Sequence, residues 1–115
     1  MLLAFSGCSK STSEGVPTAS TPKQAASQIQ EAFVSAPVEV KSEAKVASEA
    51  LRTANYEKAI LSLEAMKARQ NLTLEQGVAV HNSMVALEGK LIAAMEAGDP
   101  NAKRAYEQLK KSRRN

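Results

Sequence analysis

The residues able to do chemistry are few in this sequence, and most are solitary. Among 115 residues there is one Cys, Cys8, and one His, His81, and the only Asp is Asp99. A thiol can be alkylated, but one Cys can make neither an internal disulfide nor a zinc site. His81 falls on an apolar stripe and reads as a core or boundary residue. Asp99 precedes Pro100 and reads as a helix N-cap. A Ser-His-Asp triad would need both solitary residues, one of them already employed as a cap. There is no His-Glu-x-x-His, no Cys-x-x-Cys, no phosphate-cradling glycine loop and no calcium loop. The Glu residues alternate with Lys and Arg at helical spacing, as on solvated faces. The expectation is a protein that is not an enzyme and carries no cofactor and no metal.

The formal net charge is +3, and the excess is local. From Asp99 onward there are six cations, Lys103, Arg104, Lys110, Lys111, Arg113 and Arg114, against two carboxylates. Cations at a helix C-terminus complement the helix dipole. Lys103, Lys110, Lys111, Arg113 and Arg114 are also the candidates for contact with an anionic partner. No aromatic residues interleave with them, so there is no stacking platform and nucleic acid is disfavoured.

Around Cys8 the chain reads Leu2-Leu3-Ala4-Phe5-Ser6-Gly7-Cys8. Apolar residues followed by two small ones and a Cys resemble a bacterial lipobox. The resemblance implies cleavage before Cys8, a diacylglycerol on its sulfur, and residues 1–7 as the remnant of a signal peptide. Phe5 is bulkier than the usual Leu. The apolar stretch is shorter than a signal peptide's, and no cation precedes it. Two expectations follow: translation begins upstream of Met1, or Met1 is real and the chain is an unlipidated cytosolic helical adaptor with a basic tail. Residues 8–21 read as the lipidated Cys and a flexible, Ser- and Thr-rich tether. Ser9 lacks the Asp associated with inner-membrane retention, so the resemblance implies the outer membrane in a Gram-negative cell, and otherwise a membrane-anchored or periplasmic address. The C-terminal Ser112-Arg113-Arg114-Asn115 lacks the final Lys of lipoproteins linked to the wall.

The rest of the chain must position whatever the protein presents. Thr21-Pro22 starts a helix with Ala25, Ala26, Ile29, Ala32 and Phe33 at three- and four-residue steps, ended before Pro37. Residues 22–37 are therefore a short helix and connector, and 38–113 the helical domain. Val40, Ala44, Ala47 and Leu51 make the next stripe, widened by Val46 and Ala50. Tyr56, Ala59, Ile60, Leu63 and Met66 make a third. Thr73 with Gln76 forms a capping box that opens a helix running to Ala97. That helix carries two apolar stripes. One is Val80, Met84, Leu87, Leu91 and Ala94; its neighbour is Val78, His81, Val85, Ile92 and Met95. So broad a face predicts neighbours on two sides, with Gly77 and Gly89 marking close crossings or a break. Gly98 stops it and Asp99-Pro100 restarts a last helix with Ala102, Ala105, Tyr106 and Leu109 inward. No segment alternates as a strand does. The fold class is all-α, a small antiparallel helical bundle or helical-hairpin array behind a disordered N-terminal tether.

Val40 to Thr73 has the 34-residue length of one tetratricopeptide repeat. Ala54-Asn55-Tyr56-Glu57-Lys58-Ala59-Ile60 is similar to that family's inter-helix turn and second-helix start. Val46 and Ala47 stand where the family prefers Leu and Gly, and Ala59 and Leu63 fit its small and large positions. Glu43 replaces its Trp, Ala50 its Tyr and Asn71 its Pro, and the next 34 residues do not repeat the pattern. The resemblance implies one hairpin and no binding residues.

Together these readings predict a membrane-anchored lipoprotein with a small binding or scaffolding domain. Its partner would be an envelope protein or an anionic cell-wall polymer. The alternative is a structural or assembly lipoprotein that self-associates along Val80 to Ala94. A groove binder would expose residues such as Leu61 or Met66.

Overall fold

A computed structural model describes residues 21–114, with side chains up to Ser112. The expected lipidation site Cys8, and the tether up to Ser20, lie outside the described residues. Among those described there are five helices and no strand: α1 (Pro22–Ala32), α2 (Val38–Arg52), α3 (Tyr56–Lys67), α4 (Leu74–Glu96) and α5 (Pro100–Arg114). No helix among them is long and apolar enough to cross a membrane.

Local signals set the helix starts. Thr21 Oγ1 accepts from the Gln24 amide, Asn55 Oδ1 from the Lys58 amide and Asp99 Oδ1 from the Asn101 amide. Thr73 and Gln76 form the reciprocal capping box, with both bonds at 3.0 Å. These side chains satisfy amide donors that have no partner within their own helix. The α2–α3 turn passes through Ala54, at φ 61°, and the Asn55 amide donates back to the Ala50 carbonyl at 2.9 Å. That is a left-handed C-terminal cap, here made without glycine.

Helices α1 to α4 form a ring in which α1 packs on α2 and α4, and α3 on α2 and α4; α5 lies along the α3–α4 edge. Directions alternate around the ring. Gln76 Nε2 donates to the Ala32 carbonyl and Asn82 Nδ2 to Gln28 Oε1, so α1 and α4 run antiparallel. Helices α3 and α5 run parallel: Glu57 and Arg104 pair near their starts at 3.6 Å, and Lys67 and Ser112 share a recess at their ends. The α2–α3 hairpin is thus one piece of a larger bundle. Helix α1, expected as a short helix ahead of the domain, contributes Ala25, Ala26, Ile29 and Ala32 to the same core, and Phe33, just past the end of α1, joins them.

Eleven of the 21 buried apolar residues are Ala, which lets the helix axes approach closely. Phe33, Ile29, Ile60, Leu63, Met66, Leu87, Leu91 and Leu109 fill the remaining space. Two hydroxyls inside this core are satisfied within their own helices, Ser48 by the Lys45 carbonyl and Ser83 by the Ala79 carbonyl. No buried side-chain polar atom among the described residues lacks a partner.

Helix α4 runs unbroken through Gly89, and a Cβ at either Gly77 or Gly89 would meet nothing within 4 Å. The expected crossing or break is therefore absent. The close approach to α4 comes instead at Ala79, Ser83 and Ala86, all buried.

Candidate binding groove

The second stripe of α4 departs from expectation. Helix α4 buries Ala79, Val80, Asn82, Ser83, Ala86, Leu87 and Leu91. The small residues of this arc admit α1, and Val80, Leu87 and Leu91 complete it. The neighbouring stripe is only partly covered: Val78 is half-buried and Met95 packs against the core, but Val85 is 51% exposed and Ile92 36%, and His81 is exposed rather than in the core or at its boundary.

Along this partly covered stripe runs an open groove of about 600 Å³. Its α4 wall is Gly77, Val80, His81, Met84, Val85 and Glu88; Leu72, Lys67 and Leu109 close the other side from the α3–α4 link, α3 and α5. Because α5 follows α3 in parallel, Leu109 arrives beside the end of α3 and a trough is left against α4. Gly77 matters here for its missing side chain, which leaves the groove wall open. The interior is apolar, and Lys67, Glu88 and His81 supply one cation, one anion and one imidazole. Such a surface can bury a short apolar segment and orient its polar atoms. No three metal-ligating side chains cluster among the described residues.

The basic candidates lie along the last helix, α5. Lys103 and Lys111 are exposed, and Lys110 is half-buried with its ammonium 5.4 Å from the centre of the Tyr106 ring. Seven residues of helix put Lys103 about 10 Å from Lys110, with exposed Glu107 between them. The side chains of Arg113 and Arg114 lie outside the described residues. Leu61 is exposed but does not line the groove, and Met66 is fully buried. The Val80–Ala94 seam lies inward: Val80, Leu87 and Leu91 are buried, and Met84 and Ala94 half-buried.

One polar feature had no sequence signal. Arg69 grips Glu43 of α2 with two bonds, Nε to Oε1 at 2.9 Å and Nη2 to Oε2 at 3.0 Å. The hydrogen bonds from Arg69 hold the Glu43 carboxyl below its usual range, against a smaller opposing effect of burial. The pair ties the segment after α3 to α2 at the groove end of the bundle.

Comparison of the chain with protein-family models, curated proteins and solved structures returned no match.

Proposed function

We propose that this chain is a lipid-anchored protein of the bacterial envelope whose helical domain binds a short apolar segment of another envelope protein. The binding half of the proposal is carried by the α3–α4–α5 groove, an apolar trough with Gly77 in its wall. The anchoring half rests on Phe5-Ser6-Gly7-Cys8. Burial of Val80, Leu87 and Leu91 of the Val80–Ala94 seam within the single chain weighs against the self-associating alternative.

Each half has its own test. The gene with its upstream reading frame is expressed in bacteria and the mature chain weighed intact. The expected product begins at a lipid-modified Cys8, sediments with membranes, and is lost in Cys8→Ala. A soluble chain beginning at Met1 refutes the anchor. For the groove, a photo-crosslinker is placed at His81 and at exposed Lys58 in intact cells. The His81 probe is expected to give one discrete adduct that disappears in Gly77→Leu and Val85→Glu chains. Equal labelling from both positions, or an adduct indifferent to Gly77→Leu, refutes the groove.

A further inference from the structure

The three most exposed large apolar residues of the described chain are Leu74, 83% exposed, Val38, 79%, and Val34, 65%. Leu74 is distant in sequence from Val34 and Val38, yet the fold gathers all three at one end of the bundle. Val34 and Val38 flank the α1–α2 connection. Leu74 opens α4, two residues before Gln76, whose side chain bonds the last carbonyl of α1. The two connections lie side by side, with Pro37, Glu39, Asn71 and Leu72 lining one recess between them.

Charge accompanies this apolar end. A groove of about 450 Å³ between α1 and α2 has Phe33 and Ala44 in its lining together with Val34 and Val38, and Lys41 and Lys45 beside them. No carboxylate lines it. Glu31, Glu39 and Glu75 reach solvent at the same end but outside this groove. The parallel course of α3 and α5 brings the last turns of α5, with Lys110 and Lys111, to this end as well.

We infer that this end of the bundle docks on an anionic lipid surface. Val34, Val38 and Leu74 enter the interfacial layer, and Lys41 and Lys45 meet the lipid phosphates. Aliphatic side chains projecting from separate connections, flanked by lysines, suit a fluid plane, which accommodates them without a matching shape. An acidic peptide would instead need a continuous recess reaching all three. The inference deepens the lipoprotein reading and rests on it for its setting. A lipid on Cys8 would hold the domain within roughly 45 Å of a bilayer, the span of thirteen extended residues, and docking would fix which way the α3–α5 groove faces.

The test uses the full chain carrying Cys8→Ala, which cannot be lipidated, so docking and lipidation can fail separately. The probe is phosphatidylcholine vesicles with and without phosphatidylglycerol, at low salt. Binding is expected with phosphatidylglycerol only. Lys41→Gln with Lys45→Gln is expected to lower it about thirtyfold, since each lysine at an anionic surface contributes roughly fivefold. Lys58→Gln with Lys103→Gln removes the same charge from exposed positions near the starts of α3 and α5, at the opposite end, and is expected to change binding far less. The chain has no Trp, so Val38→Trp gives a single reporter whose emission is expected to shift to the blue on vesicles, whereas that of Leu61→Trp stays put. Val34→Ser, Val38→Ser and Leu74→Ser together are expected to abolish the docking with helicity unchanged. Absence of vesicle binding, equal loss from the two lysine pairs, or unmoved emission at position 38 overturns the inference.

Discussion

Replacing Gly89 by Ala should stabilise the protein, and the size of the gain follows from what surrounds the residue. Gly89 lies well inside α4, is exposed, and has ordinary helical backbone geometry, since Gly98 is the glycine of positive φ among the described residues. An added Cβ meets nothing within 4 Å, so no packing penalty offsets the gain. What remains is helix propensity, about 0.8–1.0 kcal/mol in favour of Ala in a helix interior. For a domain of this size that corresponds to a Tm about 4–8 °C higher. Urea unfolding followed by circular dichroism reads the change as a higher midpoint with an unchanged slope, because neither state alters its exposed surface appreciably. Gly77→Ala should also stabilise, by up to the same amount, since its Cβ is equally unhindered. The two glycines part company in function. Gly77 lines the groove and Gly89 does not, so Gly77→Leu should keep the fold and lose the partner adduct, while Gly89→Ala keeps both. A lower midpoint for Gly89→Ala would mean that a close contact does sit over α4 at that point, and the packing argument would be wrong.

Among the described residues, Ala54 is the non-glycine residue of positive φ. A Cβ in the left-handed region costs about 1–2 kcal/mol, and a glycine recovers this less about 0.4–1 kcal/mol of added unfolded-state entropy. Ala54→Gly should therefore stabilise by about 0.5–1 kcal/mol, read as a raised urea midpoint, and Ala54→Val should destabilise. The Arg69–Glu43 pair makes a pH-dependent contribution of known sign. With the Glu43 carboxyl depressed in the folded state, the unfolded chain binds more protons there, so this contribution is complete above the unfolded value of about 4.3. It is lost as pH falls through the lower folded value. Stability measured from pH 7 to pH 3 should thus diverge between wild type and Glu43→Gln at the upper end and converge at the acid end. A difference that persists unchanged at pH 3 would refute the assignment. About a third of each side chain is exposed, so salt should also shrink the difference.

Much of the fold was legible because local rules acted alone. Thr21-Pro22, Thr73 with Gln76, and Asp99-Pro100 mark helix starts through their own side chains and fixed dihedrals, and the observed bounds fall where these signals stand. Inward stripes such as Ala44, Ala47 and Leu51, or Ala59, Ile60, Leu63 and Met66, follow from three- and four-residue spacing. Within α2 the pattern overreached at Val46, which is 39% exposed.

The groove needed the tertiary arrangement. In sequence, α4 shows two apolar stripes of similar strength, and periodicity cannot say which will receive a neighbour. The outcome turned on small residues on a third face: Ala79, Ser83 and Ala86 let α1 approach, so α1 occupied that side and left Val85 and Ile92 in solvent. Leu72 and Leu109 join the groove only because α5 runs parallel to α3, and helix patterns carry no information about such pairing. Arg69 and Glu43 stand 26 residues apart with nothing local to connect them. Where helices begin, end and turn apolar is decided among a few neighbouring residues and so could be read along the chain. Which apolar face stayed open, and which distant charges met, depended on how five helices share one small Ala-rich core.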